Sequence, residues 1–272
     1  MTEKFETLLL TRDGAITTIT FNRPEKRNAM SPQLHREMYQ VLTELRYDKQ
    51  TKVVVLTGAG DNFCAGQDLK QYGLEMESQP EWLKDEIREK VRKWRTELLR
   101  ALPQPIIARI AGWCLGGALT VTVGCDVAIA ADDAKFGLPE VNFGHFPAGE
   151  TTPILANYLQ SKHGLYYALS GKMMSAHEAE RIGLISRVVP RAELDNEVNE
   201  FANCLAEKSS RALRAVKEAW YTSMKASPEV GFTISNFISE RIIREQGGRP
   251  GLEQFVEKKL RPVSGTMKLE KE

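Results

Sequence analysis

Short apolar segments alternate with helical patterns along most of the chain, and this alternation limits the possible fold most strongly. Residues 52–58 read KVVVLTG, and residues 105–110 and 127–130 form similar apolar runs. Runs without polar alternation are typical of parallel strands that are buried on both faces. Between the runs, residues 34–45 and 81–102 carry apolar side chains at helical spacing. The alternation predicts an α/β core.

Local signals define both ends of this core. Residues 8–10 and 15–21 flank an Asp-Gly turn, which predicts a β-hairpin. Ser31 followed by Pro32 is typical of a helix start. After residue 190 the pattern is helical almost to residue 258. We therefore predict two regions, a core over residues 1–195 and a helical C-terminal region over residues 196–272.

Composition and charge exclude several classes of protein. The 272 residues include 37 Lys+Arg and 36 Asp+Glu, a formal net charge of +1, which argues against a nucleic-acid binder that depends on a strong positive field. No apolar run reaches the roughly 18 residues that a membrane-spanning helix needs. The four cysteines form no CxxC pair and the four histidines form no cluster, so a metal site is not expected. We expect a soluble, cytoplasmic protein with buried free thiols.

Two glycine-containing turns each follow a predicted strand. Residues 65–69 (AGQDL) follow VVVLTGAGDNFC, and residues 115–119 (LGGAL) follow IIARIAGWC. Glycines ahead of a helix let backbone N–H groups approach a ligand closely, and a helix N-terminus favours negative charge. Two such N–H groups aimed at one point would form an oxyanion hole, whereas each turn alone is also consistent with tight strand-to-helix packing. Neither turn has the glycine spacing of a nucleotide-phosphate loop.

Glu140 stands in a largely apolar stretch, FGLPEVNFG (136–144). Burial there would disfavour the carboxylate and raise its pKa towards the range that suits general acid–base catalysis. On an exposed loop the same residue would simply be solvated. Tyr72, five residues after Gln67, can present its hydroxyl to the same cleft or pack as an ordinary aromatic residue.

Four segments carry a resemblance that covers nearly the whole chain in matched order and spacing. They are NRPEKRNAMS (22–31), GAGDNFCAGQDLKQY (58–72), AGWCLGGALTVTVGCDVAIAADDAKFGLPEVNFG (111–144) and GLEQFVEKK (251–259). Together they resemble the crotonase superfamily of enoyl-CoA hydratases and isomerases. The resemblance implies a ββα spiral core with a helical C-terminal trimerisation region, and assembly into trimers or pairs of trimers. It also implies a coenzyme A thioester as substrate and no cofactor beyond its coenzyme A moiety.

In that family the two glycine turns supply an oxyanion hole, here the backbone N–H groups of Gln67 and Gly117. Reactions at the α or β carbon of a thioester pass through an enolate, and two fixed donors stabilise its oxygen. The resemblance also places the coenzyme near six positions, although the two lysines can equally be ordinary surface residues. These positions are Lys26, Ala29, Ala65, Asp68, Leu69 and Lys258.

Position 120 decides which chemistry of this family is expected. Ordinary hydratases of the family hold water between two glutamates, one at the position of Glu140 and one three residues after the oxyanion-hole glycine. Thr120 occupies the second position, where we expect it to contact the substrate, and a threonine hydroxyl does not exchange protons near neutral pH as a carboxylate does. A single glutamate with the GxDLKxY turn resembles the hydroxycinnamoyl-CoA (feruloyl-CoA) hydratase-lyase branch. In that branch a tyrosine at the position of Tyr72 recognises the phenol.

The branch implies hydration followed by retro-aldol cleavage to an aromatic aldehyde and acetyl-CoA, a reaction of phenylpropanoid catabolism, with Glu140 as acid and base. The chain departs from it at residues 232–234, which lack a second phenol-binding tyrosine, and at residues 144–150 (GHFPAGE), which differ from a Pro-Pro-Gly loop. The alternatives are a hydratase, isomerase or hydrolase acting on another aryl, alicyclic or aliphatic acyl-CoA. A coenzyme A-binding protein without catalysis is disfavoured by the retained Glu140.

Several other side chains have both a functional and a structural interpretation. Glu150 can act as a nucleophile or base, but we expect it to favour the dipole of the helix that follows. His145 is expected to be packed or solvated rather than to face the acyl pocket. The aromatic side chains are predicted to line the acyl pocket or core (Trp113, Phe143 and Phe146) or the apolar face of helix 81–102 (Trp82 and Trp94).

Overall fold

A computed structural model describes residues 5–224, 226–245 and 256 of the chain. Lys258 and most of the 251–259 segment lie outside these residues, so the predicted contact of Lys258 with the coenzyme stays a prediction.

A six-stranded sheet lies at the centre of the fold, with a three-stranded sheet beside it. The large sheet has the order β1-β2-β3-β4-β6-β9 and the small one β5-β7-β8; the β1–β2 and β7–β8 pairs are antiparallel and the others parallel. The strands of the described residues are β1 (Leu8–Asp13), β2 (Ile16–Phe21), β3 (Val53–Gly58), β4 (Ile106–Ile110), β5 (Trp113–Leu115), β6 (Val127–Ala131), β7 (Lys135–Gly137), β8 (Met173–Ser175) and β9 (Arg187–Val189). The predicted hairpin and buried parallel strands are confirmed.

Helices cover both faces of the large sheet. Within the described residues they are α1 (Pro32–Leu45), α2 (Glu75–Glu77), α3 (Glu81–Arg92), α4 (Leu99–Ala101), α5 (Gly117–Gly124), α6 (Thr151–Tyr158), α7 (Ser161–Ser170), α8 (Ala176–Arg181), α9 (Leu194–Ala206), α10 (Ser210–Ser223) and α11 (Pro228–Glu245). A π-helical turn, Leu69–Leu74, precedes α2, and another, Lys93–Leu98, joins α3 to α4. Short 3₁₀ turns span Pro24–Lys26, Pro139–Phe143 and Arg191–Glu193.

Strand β3 shows why its sequence is apolar throughout. Val54 and Leu56 point into the main hydrophobic core with α1, while Val53 and Val55 point to the opposite face. On that face they pack with buried residues of α9, such as Leu194. Successive side chains of a strand alternate between the faces, so a sheet covered on both sides needs apolar residues at every position.

The start of α1 follows its sequence signal. The Ser31 hydroxyl accepts a hydrogen bond from the backbone N–H of Leu34 at 3.2 Å, and Pro32 occupies the first helical position. This cap sets where the helix begins. It also fixes the chain immediately after Met30, whose N–H and C=O bond to the first glycine turn.

The predicted boundary between core and C-terminal region falls inside α9, which packs on the central sheet. Helix α10 is also tied to the core, because Nζ of the buried Lys217 donates to Asp126 at 2.7 Å and to the Leu99 carbonyl at 3.0 Å. Residues 194–206 therefore belong structurally with the sheet, and the division of the chain into two regions stays a prediction.

Several side-chain predictions can now be compared with the structure. The prediction for Trp94 is confirmed because it is fully buried, but that for Trp82 is wrong because it is 69% exposed near the start of α3. Cys64, Cys114 and Cys125 are buried free thiols as predicted, whereas Cys204 is only half-buried. Among the described residues, no helix combines the length and apolar character needed to cross a membrane.

Candidate active site

The two predicted glycine turns lie against each other. The backbones of Cys64 and Cys114 pair in an isolated parallel β-bridge, and both thiols are free. The N–H of Leu115 donates to the Cys64 carbonyl at 3.0 Å. A Cβ atom on Gly66 would lie 2.8 Å from the carbonyl oxygen of Leu115, and Gly66 has a φ of +94° that favours glycine. The absence of a side chain at Gly66 therefore allows the turns to approach this closely.

Each turn presents a backbone N–H group without a protein partner. Within the described part of the chain, the N–H groups of Gln67 and Gly117 donate to no other residue, although their neighbours Asp68 and Gly116 do. Gly117 is the first residue of α5, where N–H groups have no intrahelical partner. Two free donors on turns that contact each other are consistent with the predicted oxyanion hole, which stays a prediction.

Glu140 lies directly beside the second turn. Its Oε1 is 2.6 Å from the position that a Cβ atom on Gly116 would occupy, and its Oε2 is buried with no hydrogen-bond partner in the described structure. Burial raises the pKa of this half-buried carboxyl group. The environment matches that predicted for a general acid and base, and a fully solvated loop glutamate does not fit these observations.

Thr120 is fully buried one turn into α5, and its hydroxyl bonds to the hydroxyl of Thr151 at 3.1 Å. It supplies no second carboxyl group beside Glu140, and its hydroxyl already has a protein partner. Its predicted contact with substrate stays a prediction.

A chain of hydrogen bonds that the sequence did not reveal holds the side chain of Gln67. The indole N–H of Trp94 donates to Nδ1 of His35 at 3.0 Å, and Nε2 of His35 lies 2.9 Å from Oε1 of Gln67. An indole nitrogen can only donate, so Nδ1 accepts and Nε2 carries the proton that bonds Gln67. Burial, together with the charge of Arg95, holds the pKa of His35 well below its usual value.

The neutral His35 predicts a pH dependence of stability. Below about pH 6.5 the unfolded chain takes up a proton on this histidine that the folded chain does not. The free energy of unfolding therefore decreases as the pH is lowered. The contribution is at most about 1.4 kcal/mol per pH unit. Between about pH 5 and pH 7, the free energy of unfolding measured in urea should depend less steeply on pH for His35→Asn than for the parent. His177→Asn, at an exposed histidine, should keep the parent slope; equal slopes for all three proteins would contradict the prediction.

Glu150 stands at the start of α6, where we expected an acid that favours the helix dipole, and it also forms an ion pair with a buried arginine. Glu150 does occupy the position before α6, but its side chain makes no capping bond. Instead its Oε2 accepts a hydrogen bond from Nη2 of Arg95 at 2.7 Å. Arg95 is 4% exposed and was missed from the sequence, because an arginine in a strongly charged helix is normally solvated.

Tyr72 lies in the π-helical turn Leu69–Leu74, near the Arg95–Glu150 ion pair. Its ring meets the His35 ring edge-on at 5.4 Å between centroids. Burial raises the pKa of Tyr72, and the opposing charges of Arg95 and Glu150 both act on that pKa. The structure therefore places Tyr72 near the Arg95–Glu150 pair and beside His35, and its predicted position in the substrate cleft stays a prediction.

The remaining predicted residues differ in their exposure to solvent. Phe143 and Phe146 are 49% and 67% exposed, so the core interpretation is wrong for both, and their role in lining an acyl pocket stays a prediction. His145 is exposed, as expected. Along the first turn and its approach, Asp68 is buried, Ala29, Ala65 and the strand residue Trp113 are half-buried, and Lys26 and Leu69 are exposed.

Asp68 has a structural task in the first turn. Its carboxylate accepts hydrogen bonds from the N–H groups of Lys70 and Gln71, and it pairs with Arg23 at 2.9 Å. These bonds lower the pKa of Asp68 against the effect of burial, the largest single influence. The residue keeps the chain after Gln67 in a fixed position.

The described residues contain no group of three or more potential metal ligands. An apolar cavity of about 160 Å³ is lined by Leu119, Leu138 and residues of α6 and α7, but by none of Gln67, Gly117 and Glu140. We therefore do not assign the reacting end of a substrate to it.

Comparisons with known proteins show similarity over nearly the whole chain. The sequence model described as enoyl-CoA hydratase/isomerase matches residues 11–264. A hydroxycinnamoyl-CoA hydratase-lyase of Pseudomonas fluorescens is 38% identical over 259 residues, which are 94% of each chain. A probable enoyl-CoA hydratase of Mycobacterium tuberculosis is 32% identical over 255 residues, 94% of this chain and 96% of the relative.

Solved structures show the same similarity. A crystal structure of an enoyl-CoA hydratase from Mycobacterium smegmatis superposes with a TM-score of 0.86 at 26% identity, covering 95% of this chain and 99% of that one. An enoyl-CoA hydratase from Bacillus anthracis has a TM-score of 0.85 at 30% identity, covering 96% and 100%.

Proposed function

The chain belongs to the enoyl-CoA hydratase/isomerase family, the crotonases, and we propose that it hydrates a hydroxycinnamoyl-CoA thioester and cleaves the product to an aromatic aldehyde and acetyl-CoA. The predicted crotonase-type fold is confirmed by the similarity to solved enzymes. Within this family the feruloyl-CoA type of substrate is the proposal, supported by the relative from Pseudomonas fluorescens.

The observation that carries the proposal concerns the two positions where ordinary hydratases of the family have a glutamate. Only one of them, Glu140, has a carboxyl group here, and it lies beside the turns that present the free N–H groups of Gln67 and Gly117. Glu140 has an unpartnered oxygen beside Gly116, while Thr120 stands where a second carboxyl group would be needed to hold water between two acids. One carboxyl group suffices when the same proton moves from an oxygen to a neighbouring carbon.

In the hydration step, the N–H groups of Gln67 and Gly117 hold the thioester oxygen as enolate character develops. Water adds to the β carbon and gives a proton to the Glu140 carboxylate, which passes it to the α carbon. The two donors stabilise charge that exists only during the reaction, so they lower the barrier rather than only tighten binding. The raised pKa of Glu140 suits a group that must both take and give a proton near neutral pH.

In the cleavage step, Glu140 takes the proton of the β-hydroxyl group. The bond between the α and β carbons breaks, its electron pair forms the enolate of acetyl-CoA, and the β carbon leaves as an aldehyde. Glu140 then protonates the α carbon, which restores its carboxylate. A para-hydroxyl on the aryl group favours the initial addition because it shares charge with the β carbon, and we assign Tyr72 to contact that phenol.

The coenzyme A moiety is proposed to lie along the first turn, near Lys26, Ala29, Ala65, Asp68 and Leu69. No cofactor beyond that moiety enters the mechanism. The acyl-CoA thioester is the proposed partner of the site, and assembly into a trimer or a pair of trimers is proposed for the protein.

Purified protein mixed separately with feruloyl-CoA, cinnamoyl-CoA and crotonyl-CoA tests the proposal. We expect vanillin and acetyl-CoA from feruloyl-CoA, and little reaction of cinnamoyl-CoA, which lacks the para-hydroxyl group. Chromatography of the products and absorbance of the thioester follow the reaction. Hydration of crotonyl-CoA without any cleavage of feruloyl-CoA would reject the hydratase-lyase assignment and make Thr120 compatible with ordinary hydration.

A further inference from the structure

A buried arginine next to the second glycine turn has a donor group that no protein atom uses. Nη2 of Arg95 is engaged by Glu150, but Nη1 lies 2.6 Å from the position of a Cβ atom on Gly117 and bonds no described residue. Arg95 is only 4% exposed, and its Nε is buried without a hydrogen-bond partner in the described structure. A buried guanidinium that is paired through Nη2 alone is costly, so Nη1, which bonds no described residue, indicates a ligand at this place.

The position of Nη1 limits which part of an acyl group it can reach. Under the proposed function, Gly117 binds the thioester oxygen and Glu140 faces Gly116. Nη1 therefore lies close to the carbonyl, α and β carbons rather than to the far end of the acyl group. The reacting oxygen in that region, apart from the thioester oxygen, is the one on the β carbon.

Glu150 determines which kind of oxygen fits. Its carboxylate pairs with the guanidinium at 2.7 Å, so the pair has no net charge. A neutral oxygen that gains negative character during the reaction suits such a pair better than a permanent carboxylate.

The local backbone is consistent with a functional position. Arg95 stands in the π-helical turn Lys93–Leu98, and π turns within α-helices occur frequently at functional sites. In this turn two consecutive side chains that carry N–H donors, Trp94 and Arg95, are both buried. The N–H of Trp94 donates to His35, so of these two side chains only Arg95 has an unused donor.

We propose that Arg95, oriented by Glu150, is a catalytic residue that donates a hydrogen bond from Nη1 to the oxygen on the β carbon. This inference rests on the proposed function. During hydration that oxygen is the attacking water, which gives its proton to Glu140; during cleavage it is the β-hydroxyl, which gives its proton to Glu140 and becomes the aldehyde oxygen. The oxygen gains negative character in both steps, and a cationic donor stabilises it.

Binding measurements in a non-reacting background test this contact. In Glu140→Gln protein, calorimetry would compare the Kd of 3-hydroxy-3-phenylpropanoyl-CoA with that of 3-phenylpropanoyl-CoA, which lacks the β oxygen. We expect the hydroxylated compound to bind more tightly. Adding Arg95→Met should reduce this preference by about ten- to a hundredfold, while the Kd of the compound without the β oxygen changes by less than about threefold.

Matched variants separate a direct contact from a structural one. Arg92→Met removes an exposed arginine of the same helix, paired with Glu97, and should leave the preference unchanged. Arg95→Lys keeps the charge without the planar donor group and should lower the preference by a smaller factor. An equal loss of affinity for both compounds, or an unchanged preference in Arg95→Met and Arg95→Lys, would overturn the proposal.

The same experiment with 3-hydroxybutanoyl-CoA and butanoyl-CoA separates this inference from the choice of aryl substrate. A protein that does not cleave feruloyl-CoA but loses its preference for the aliphatic β-hydroxy compound on Arg95 substitution would retain the Arg95 contact and reject only the hydratase-lyase assignment. An Arg95 variant that no longer forms aldehyde but still prefers the β-hydroxy compound as the parent does would reject the Arg95 contact.

Discussion

Replacing Glu140 with glutamine is expected to lower kcat by about 10²–10⁴-fold, the usual contribution of a positioned acid–base group. Glutamine has nearly the same shape but cannot pass a proton from the β oxygen to the α carbon. The affinity for a saturated acyl-CoA should change by less than about threefold, because that ligand needs no proton transfer. Steady-state kinetics and calorimetry on the same preparation measure both quantities.

The same substitution should not destabilise the protein at neutral pH. Burial raises the pKa of Glu140 in the folded state, so the folded chain holds its proton more tightly than the unfolded chain. The free energy of unfolding therefore falls as pH rises from the unfolded pKa through the folded pKa, and glutamine removes this loss. Glu140→Gln should be as stable as the parent or more stable at neutral pH in urea unfolding.

An exposed glutamate provides the control for Glu140. Glu193→Gln, in the 3₁₀ turn before α9, should keep the parent kcat and lose at most about 1 kcal/mol of stability, because its charge lies at the start of a helix. Unchanged turnover in Glu140→Gln would remove this residue from the mechanism. A loss of turnover together with a large loss of stability would show that the residue supports the fold instead.

The parts of the site that the sequence predicted are those encoded by local pattern. The glycine turns, the cap at Ser31 and the apolar surroundings of Glu140 each depend on residues within a few positions of one another. Such signals are readable because they reflect backbone conformation and local burial.

The parts that the sequence did not predict depend on distant contacts. Arg95 meets Glu150 and His35 meets Gln67 across 55 and 32 positions of the chain. Of the two tryptophans predicted on one helical stripe, only Trp94 is buried. Trp82 precedes the buried Ile87 and Val91 by five and nine positions, so it lies on a different face of α3. A single sequence carries no signal for these pairings.

Replacing Gly66 with alanine is expected to lower kcat by about 10²–10³-fold, comparable to the loss of one oxyanion-hole donor. A Cβ atom would lie 2.8 Å from the backbone carbonyl of Leu115, which cannot move as a side chain does, and the φ of +94° is unfavourable for alanine. The first turn must therefore shift, and with it the N–H of Gln67 relative to Gly117. We expect the loss in kcat with both aryl and aliphatic substrates, since both use the thioester oxygen.

Two alanine controls distinguish displacement of the donor from general strain. Gly73→Ala lies in the neighbouring π-helical turn with nothing within 4 Å of the new Cβ atom, and Gly14→Ala has a φ of +53° in the remote hairpin with equally open space. Gly73→Ala should keep the parent kcat; Gly14→Ala should lose about 1–2 kcal/mol of stability but keep kcat. If Gly66→Ala lost stability like Gly14→Ala and kept its kcat, the close approach of the two turns would serve packing alone, because a displaced donor must lower the rate whatever its effect on the fold.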